Sequence, residues 1–135
     1  MGWIFWDKGQ KLTMSDGELA FTSFDRALRS VVLNRCKIGE FGGNIHPTQK
    51  PVALYDWIYH HYLPNGGRVL DTHLGSGSNR IAAHKAGNID FTGYELDKDY
   101  YEAQEKRFAT YLQQQQINFN QPVKTIIEQP KLQFS

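Results

Sequence analysis

Residues 68–97, RVLDTHLGSGSNRIAAHKAGNIDFTGYELD, limit the fold more than any other stretch of the chain. They read as a strand, a tight loop, a helix and a second strand. Val69-Leu70 is a short apolar run that enters a loop at Asp71, and Gly75-Ser76-Gly77-Ser78 forms the turn of that loop. Ile81, Ala82, Ala83 and Ala86 follow at helical spacing, and Gly87 stands where a helix stops. Phe91-Thr92-Gly93-Tyr94 is the next strand and ends in Glu95. A glycine-rich turn between strand and helix lets a ligand approach bare backbone, and the helix N-terminus behind it favours anionic groups. An acid at the end of the neighbouring strand is where a ribose diol is held. Together these features imply a nucleoside-containing ligand lying across two adjacent strand ends.

The rest of the chain sets bounds. Its 135 residues suffice for one small domain, and 40% hydrophobic with 13% aromatic content supports a real core. A net charge of +1 argues against strong general attraction to nucleic acid or anionic membrane. Local basic character is confined to Arg26, Arg29, Arg35 and Lys37. One cysteine, Cys36, rules out an internal disulfide and fits a reducing cytoplasm. No apolar run is long enough to span a bilayer, and MGWIFWDKG lacks the order of a signal peptide.

In chain order, residues 2–8 (GWIFWDK) and 18–24 (ELAFTSF) are aromatic and β-branched, and pair as a hairpin across the polar loop 9–17. A chain that begins almost directly in a strand leads us to expect a preceding segment in relatives. Residues 25–36 fit either a helix or an extended segment. Residues 39–44 form a glycine-rich loop. His46-Pro47-Thr48-Gln49-Lys50-Pro51 is rigid, and Pro51 opens a helix to about Tyr62 with Leu54, Trp57, Ile58 and Tyr62 on one face. Asp97 or Asp99 caps a helix over about 98–115. Residues 117–135 read as a tail that adds a short strand or docks. The expected division is therefore 1–116, with a hairpin and connecting region to 45 and a cofactor-binding part over 46–116, followed by the tail.

HPTQKP at 46–51, DTHLGSGS at 71–78 and GYELD at 93–97 occur in the order found in the permuted (β-class) DNA amino-methyltransferases, which the chain resembles over about 3–110. WIFWDKG and GELAFTSF add to the likeness, which is greatest to phage-type adenine-N6 enzymes. The resemblance implies an α/β fold: a Rossmann-like S-adenosylmethionine-dependent methyltransferase sheet flanked by helices, with one antiparallel strand, here incomplete. It implies methyl transfer from S-adenosylmethionine to an exocyclic amine of a base flipped out of double-stranded DNA. Asp71, Thr72, His73, Gly75, Ser76, Gly77 and Ser78 then form the loop under the methionine part of the cofactor. Glu95, with Leu96 beside it, holds the ribose hydroxyls, and Thr48, Gln49 and Lys50 receive the methionine carboxylate. Arg26, Arg29 and Arg35 become candidate DNA contacts.

The chain departs from the family in one respect. The catalytic Asp-Pro-Pro-Tyr tetrapeptide of such enzymes is absent, and so is any Pro-Pro. No catalytic residue is therefore assigned, and no metal ligand, since methyl transfer from a sulfonium needs no metal. Either a partner chain supplies Asp-Pro-Pro-Tyr, or the chain is an inactive cofactor-binding or structural remnant. A nicotinamide oxidoreductase is the third reading, and GSGS lacks the third glycine of that fingerprint. His73 is expected to pack within its loop and His60-His61 to be an exposed pair. Trp3, Trp6 and Phe21 are expected in the core, and Tyr94 either walls an adenine or packs inside. Missing middle strands expose sheet edges, so a homodimer is expected, or a hairpin that pairs beside the strand at 68–71.

Overall fold

The computed structural model describes residues 1–9 and 15–120. Strands β1 (Gly2–Asp7), β2 (Gly17–Thr22) and β3 (Arg29–Val32) come first, followed by a short 3-10 turn at Arg35–Lys37. Helix α1 (Val52–Tyr62), β4 (Gly67–Asp71), α2 (Ser78–Ala86), β5 (Ile89–Gly93) and α3 (Lys98–Asn120) complete the order. The α/β class is as expected, with the strands divided between two sheets. One has the order β2-β1-β3 and the other is the pair β4-β5.

β1 alternates as a strand with one covered face should. Ile4 and Trp6 are buried while Trp3 looks outward. β2 runs antiparallel to β1, setting Glu18 opposite Trp6 and Phe21 opposite Trp3. β3 runs parallel to β1 on its other side, with Val31 opposite Trp6. The segment that fitted both helix and strand is thus mostly extended, with one inward residue, Val31. The 3-10 turn after it starts where the Asn34 side chain accepts from the Cys36 amide at 3.1 Å.

β4 and β5 are parallel and in register from Gly67 opposite Ile89 to Asp71 opposite Gly93. α2 crosses between them and buries Ile81, Ala82 and Ala83. Asp97 caps α3: its Oδ1 accepts from the amides of Asp99 and Tyr100 at 2.9 and 3.1 Å. α3 extends beyond the expected 115 through Asn120, and residues 121–135, where the sequence suggests a docking tail, lie outside the described residues.

α1 has two buried sides. Leu54 and Tyr62 join Ile4, Trp6 and Val31 in one core, with Trp57 and Ile58 packed against it. Val52 and Tyr59 join Ile81, Ala82, Ala83 and Tyr111 in the other. The sequence reading recovered the first face and missed the second, because Tyr55 and Tyr59 look like surface tyrosines on a helical wheel.

Two expectations need correction. The hairpin does not pair beside β4, whose only strand partner among the described residues is β5. The end of β2 turns down over α1 instead, where the Phe24 and Tyr62 rings meet edge to face at 5.1 Å and Arg26 donates to the carbonyl of His61 at 2.6 Å. Of the three aromatics expected in the core, only Trp6 is there. Trp3 and Phe21 pack edge to face at 5.4 Å on the outer face of the sheet, and both are exposed. Tyr94 is also exposed. His60 and His61 are an exposed pair near the end of α1, as expected.

Candidate functional site

β4 delivers Asp71 to the start of the glycine loop. Its Oδ1 accepts from the His73 amide at 3.0 Å and its Oδ2 from Asn79 Nδ2 at 2.9 Å, so the carboxylate ties both ends of the loop. Asn79 Oδ1 in turn accepts from the Tyr59 hydroxyl. Burial pushes the Tyr59 hydroxyl well above its ordinary range, and the Asp71 charge adds to this. Burial pushes Tyr55 up to about 12, with help from Asp71 and then Glu18. Tyr55 therefore feels acids from both sheets.

The loop needs left-handed backbone. Gly75 has φ +53° and Gly77 φ +73°. A Cβ on Gly77 would also stand 3.1 Å from Gln104 Oε1. With Gly77 as N-cap and no side-chain cap, the first amides of α2 are presented without an acidic residue in the first turn.

The Gly75 amide donates to Glu95 Oε2 at 2.8 Å, and Glu95 Oε1 accepts from the Asp97 amide at 3.0 Å. The Asp97 bond is the largest influence holding the Glu95 carboxyl below its usual range. The bonds from Gly75 and Leu96 and the nearby His46 act in the same direction. The loop after β4 and the acid after β5 thus meet directly.

The segment from 46 to 51 closes the third side. Ser78 Oγ donates to the Lys50 carbonyl at 2.7 Å. A Cβ on Gly75 would lie 3.6 Å from the His46 ring, which packs on Tyr100 with centroids 4.4 Å apart. A cavity of about 130 Å³ is lined by His46, Thr48, Gln49, Lys50, Tyr55 and His73 together with the loop residues Leu74, Gly75, Ser76 and Ser78.

The candidate residues differ in how they are used. Thr48 Oγ1 meets His46 Nδ1 at 3.1 Å, and Thr72 Oγ1 meets His73 Nδ1 at 2.9 Å. Thr48, Thr72 and His73 are all exposed. The Gln49 carboxamide is buried and fully engaged: it accepts from Ile45 N at 2.9 Å, donates to Gly43 O at 3.1 Å and donates to Ile38 O. It pins the 39–45 loop. Lys50 Nζ pairs with Glu18 at 2.9 Å, and Lys8 pairs with the same carboxylate at 3.2 Å. Burial raises the Glu18 carboxyl, but the bonds and charges of Lys50 and Lys8 outweigh it and hold it low. Two lysines share one acid, so the cluster keeps one positive charge. Leu96 is fully exposed beside Glu95.

The three candidate arginines are not brought together. Arg26 is bound to the end of α1, over the Tyr62 ring at 5.1 Å. Lys50 sits at the other end of that helix, about 16 Å away for its 11 residues. Arg29 opens β3 and Arg35 opens the 3-10 turn after it, and both are exposed. No group of three His, Cys, Asp or Glu among the described residues is placed to hold a metal ion.

Sequence reasoning missed Arg107. It is 2% exposed, and one NH group donates to Ser76 O at 2.9 Å and Ser78 Oγ at 2.7 Å. Its Nε donates to Glu40 O at 3.0 Å. Burial lowers its guanidinium to about 10, opposed by Glu40. One arginine on α3 thus fastens the glycine loop to the 39–43 loop. The available signal was its place on the stripe Gln104, Arg107, Tyr111, where a charged residue stands at a core position.

Chemically, the site is a small polar cavity lined by the glycine loop and by Lys50 of the shared positive cluster, with two carboxylates, Asp71 and Glu95, bonded to the amides of lining residues His73 and Gly75. That combination suits a ligand carrying a diol, an amino acid moiety and a positive centre.

A family model described as DNA methylase, of the N6/N4 type, matches residues 6–106. The protein named "Putative methylase YubD" of Escherichia coli (strain K12) is 35% identical over 68 residues, half of this chain and 30% of that protein. Type II methyltransferase M2.DpnII of Streptococcus pneumoniae is 34% identical over 71 residues, 53% of this chain and 26% of that protein. Among solved structures, the M1.HpyAVI–SAM complex superposes with a TM-score of 0.57 at 21% identity, over 78% of this chain and 59% of that one. The matches therefore span less than a third of the curated relatives' length.

Proposed function

The chain belongs to the N6/N4 DNA methylase family, and we propose that it is the S-adenosylmethionine-binding portion of a site-specific DNA adenine-N6 methyltransferase. The observation that carries this reading is the 2.8 Å bond from the Gly75 amide to Glu95, which joins the glycine loop and the second-strand acid into one site. The residues fit the cofactor. Glu95 retains lone pairs for a ribose diol. Asp71 and Glu95 put negative charge near a sulfonium. The cavity of about 130 Å³ under Lys50 and His46 is sized for the amino acid end of the molecule. Lys50, with one bond to Glu18, has donors left for a carboxylate.

S-adenosylmethionine, when bound, supplies an electrophilic methyl group on a cationic sulfonium. The residues of this chain position it. Asp71 fixes the loop through His73 and Asn79, Glu95 holds the Gly75 turn closed, and Arg107 keeps Ser76 and Ser78 in place behind them. Positioning and desolvation are the chief means by which such a transfer is accelerated. Double-stranded DNA is the proposed substrate, with the base flipped out to reach the methyl, and the cytoplasm the proposed location.

The absence of Asp-Pro-Pro-Tyr favours a second reading: the chain is inactive alone, as a remnant or as one part of an enzyme whose partner chain supplies that tetrapeptide. Calorimetry with S-adenosylmethionine tests the cofactor assignment. Glu95→Ala and Asp71→Ala should each weaken binding about tenfold or more, and unchanged affinity in both would overturn the site. Methyl transfer to unmethylated DNA by the chain alone would remove the second reading.

A further inference from the structure

We propose that Glu18 is a specificity residue of the cofactor site. Acting through Lys50, its carboxylate limits the positive charge at the cavity, so that the single carboxylate of an amino acid is accepted and a chain of phosphates is refused. The proposal rests on the reading above that Lys50 receives the carboxylate of S-adenosylmethionine. The glycine loop leaves open which anion the site takes. Gly77 caps α2 without a side-chain bond and no acidic residue stands in the first turn, so the bare amides there attract anions in general. Lys50 lines the same cavity as Ser76 and Ser78. A glycine loop, a helix N-terminus and a lysine would suit a nucleoside polyphosphate equally well. A further group has to set how much negative charge the site takes.

Glu18 is placed to do so. It stands opposite Trp6 on β2, with Lys8 Nζ 3.2 Å from its Oε1 and Lys50 Nζ 2.9 Å from its Oε2. Each oxygen serves one lysine. Both ammonium groups also lie near the Trp6 ring, 5.6 and 6.0 Å from its centroid, so one indole and one carboxylate hold two positive charges. Burial alone would raise the Glu18 carboxyl, but the bonds and charges of Lys50 and Lys8 hold it low, and it is ionised at neutral pH. The Lys8 side chain is 10% exposed against 32% for Lys50, so Lys8 anchors Glu18 while Lys50 keeps donors for a ligand. Lys50 lines both the cofactor cavity and an apolar cavity of about 90 Å³, and Glu18 belongs to the wall of the second. The Glu18 charge still reaches the site. It adds to burial and Asp71 in raising the hydroxyl of Tyr55, which lines the cofactor cavity. The amino acid end of S-adenosylmethionine carries one carboxylate and one ammonium group. Removing the Glu18 charge acts on those two in opposite senses, and the effects largely cancel. A diphosphate carries like charges only, and nothing cancels.

Calorimetry on the full chain with three ligands tests this. S-adenosylhomocysteine carries the amino acid end, ADP carries phosphates in its place, and methylthioadenosine carries neither. Glu18→Gln keeps the shape of the side chain and drops its charge. It should tighten ADP about tenfold or more, leave S-adenosylhomocysteine within about threefold, and leave methylthioadenosine unchanged. Lys8→Met should act in the opposite direction, because Glu18 then draws on Lys50 alone: ADP should weaken, and by more than S-adenosylhomocysteine does. Equal shifts for ADP and S-adenosylhomocysteine, or no shift for ADP in either variant, overturn the proposal. Loss of methylthioadenosine binding in Glu18→Gln also overturns it, since Glu18 would then be a structural support of the whole site. Lys50→Met separates this idea from the reading beneath it. If that variant leaves S-adenosylhomocysteine affinity untouched, the carboxylate is held elsewhere and the reading itself fails. If it weakens S-adenosylhomocysteine while Glu18→Gln leaves ADP as it was, the Glu18 assignment alone fails.

Discussion

The β4–α2–β5 unit and the β1–β2–β3 sheet lean on the same helix but are finished differently. In the first, polar groups are closed into chains of bonds: Asp71 to Asn79 to Tyr59, Gly75 to Glu95, and Arg107 to Ser76, Ser78 and Glu40. The second buries Ile4, Trp6 and Val31 against α1 but leaves Trp3, Leu19, Phe21 and Val32 on an uncovered outer face. It also leaves the Thr22 hydroxyl unpaired. Each is left unfinished in its own way: the site unit keeps Leu70 exposed and one Arg107 nitrogen without a partner, whereas the hairpin sheet exposes four large apolar side chains on one face.

Substitutions can break that contrast or sharpen it. The largest effect is expected at Arg107. Arg107→Ala leaves buried acceptors in two loops without donors and should lower stability by about 4 kcal/mol in urea unfolding. A loss below about 1 kcal/mol would show that the loops hold each other without it. Next comes a matched pair in the two cores. Ile81 is wholly buried, so Ile81→Ala should cost about 3–4 kcal/mol, while Ile4→Ala, beside an existing cavity, should cost nearer 2. Equal losses would mean that both cores are packed alike.

Acid should act on the site before the cores. Glu95 has its carboxyl held below the ordinary 4.5, so its contribution is present above that value and is lost as pH falls through the lower folded value. Glu95→Gln should remove this part of the acid transition and weaken S-adenosylmethionine about tenfold at neutral pH, measured by calorimetry over a pH series. The smallest effect is expected on the open face. Phe21→Ser should change stability by less than about 0.5 kcal/mol while improving solubility. A large loss would show that the outer face is already covered in solution.

What could be read from sequence divides along the same line. Every contact that makes β4–α2–β5 recognisable lies within a single run of the chain, so glycine, helical spacing and a strand-end acid sufficed to place Asp71, Gly75, Gly77 and Glu95. β3 was ambiguous because a four-residue parallel strand with one inward side chain, Val31, has too little pattern to count. Arg107 was invisible for another reason. Its acceptors lie 29, 31 and 67 residues away in sequence, and nothing local says that a polar, glutamine-rich helix will bury its arginine. Gln49 and Lys50 line the cavity beside the glycine loop, but their use by the 39–45 loop and by Glu18 depends on tertiary geometry that no motif encodes.

Because α1 is the common wall of both cores, neither half can melt while the other keeps its helix intact. Heating should give one calorimetric transition, and a cofactor that tightens the Asp71 side should slow exchange at Trp6 and Val31, residues it never touches.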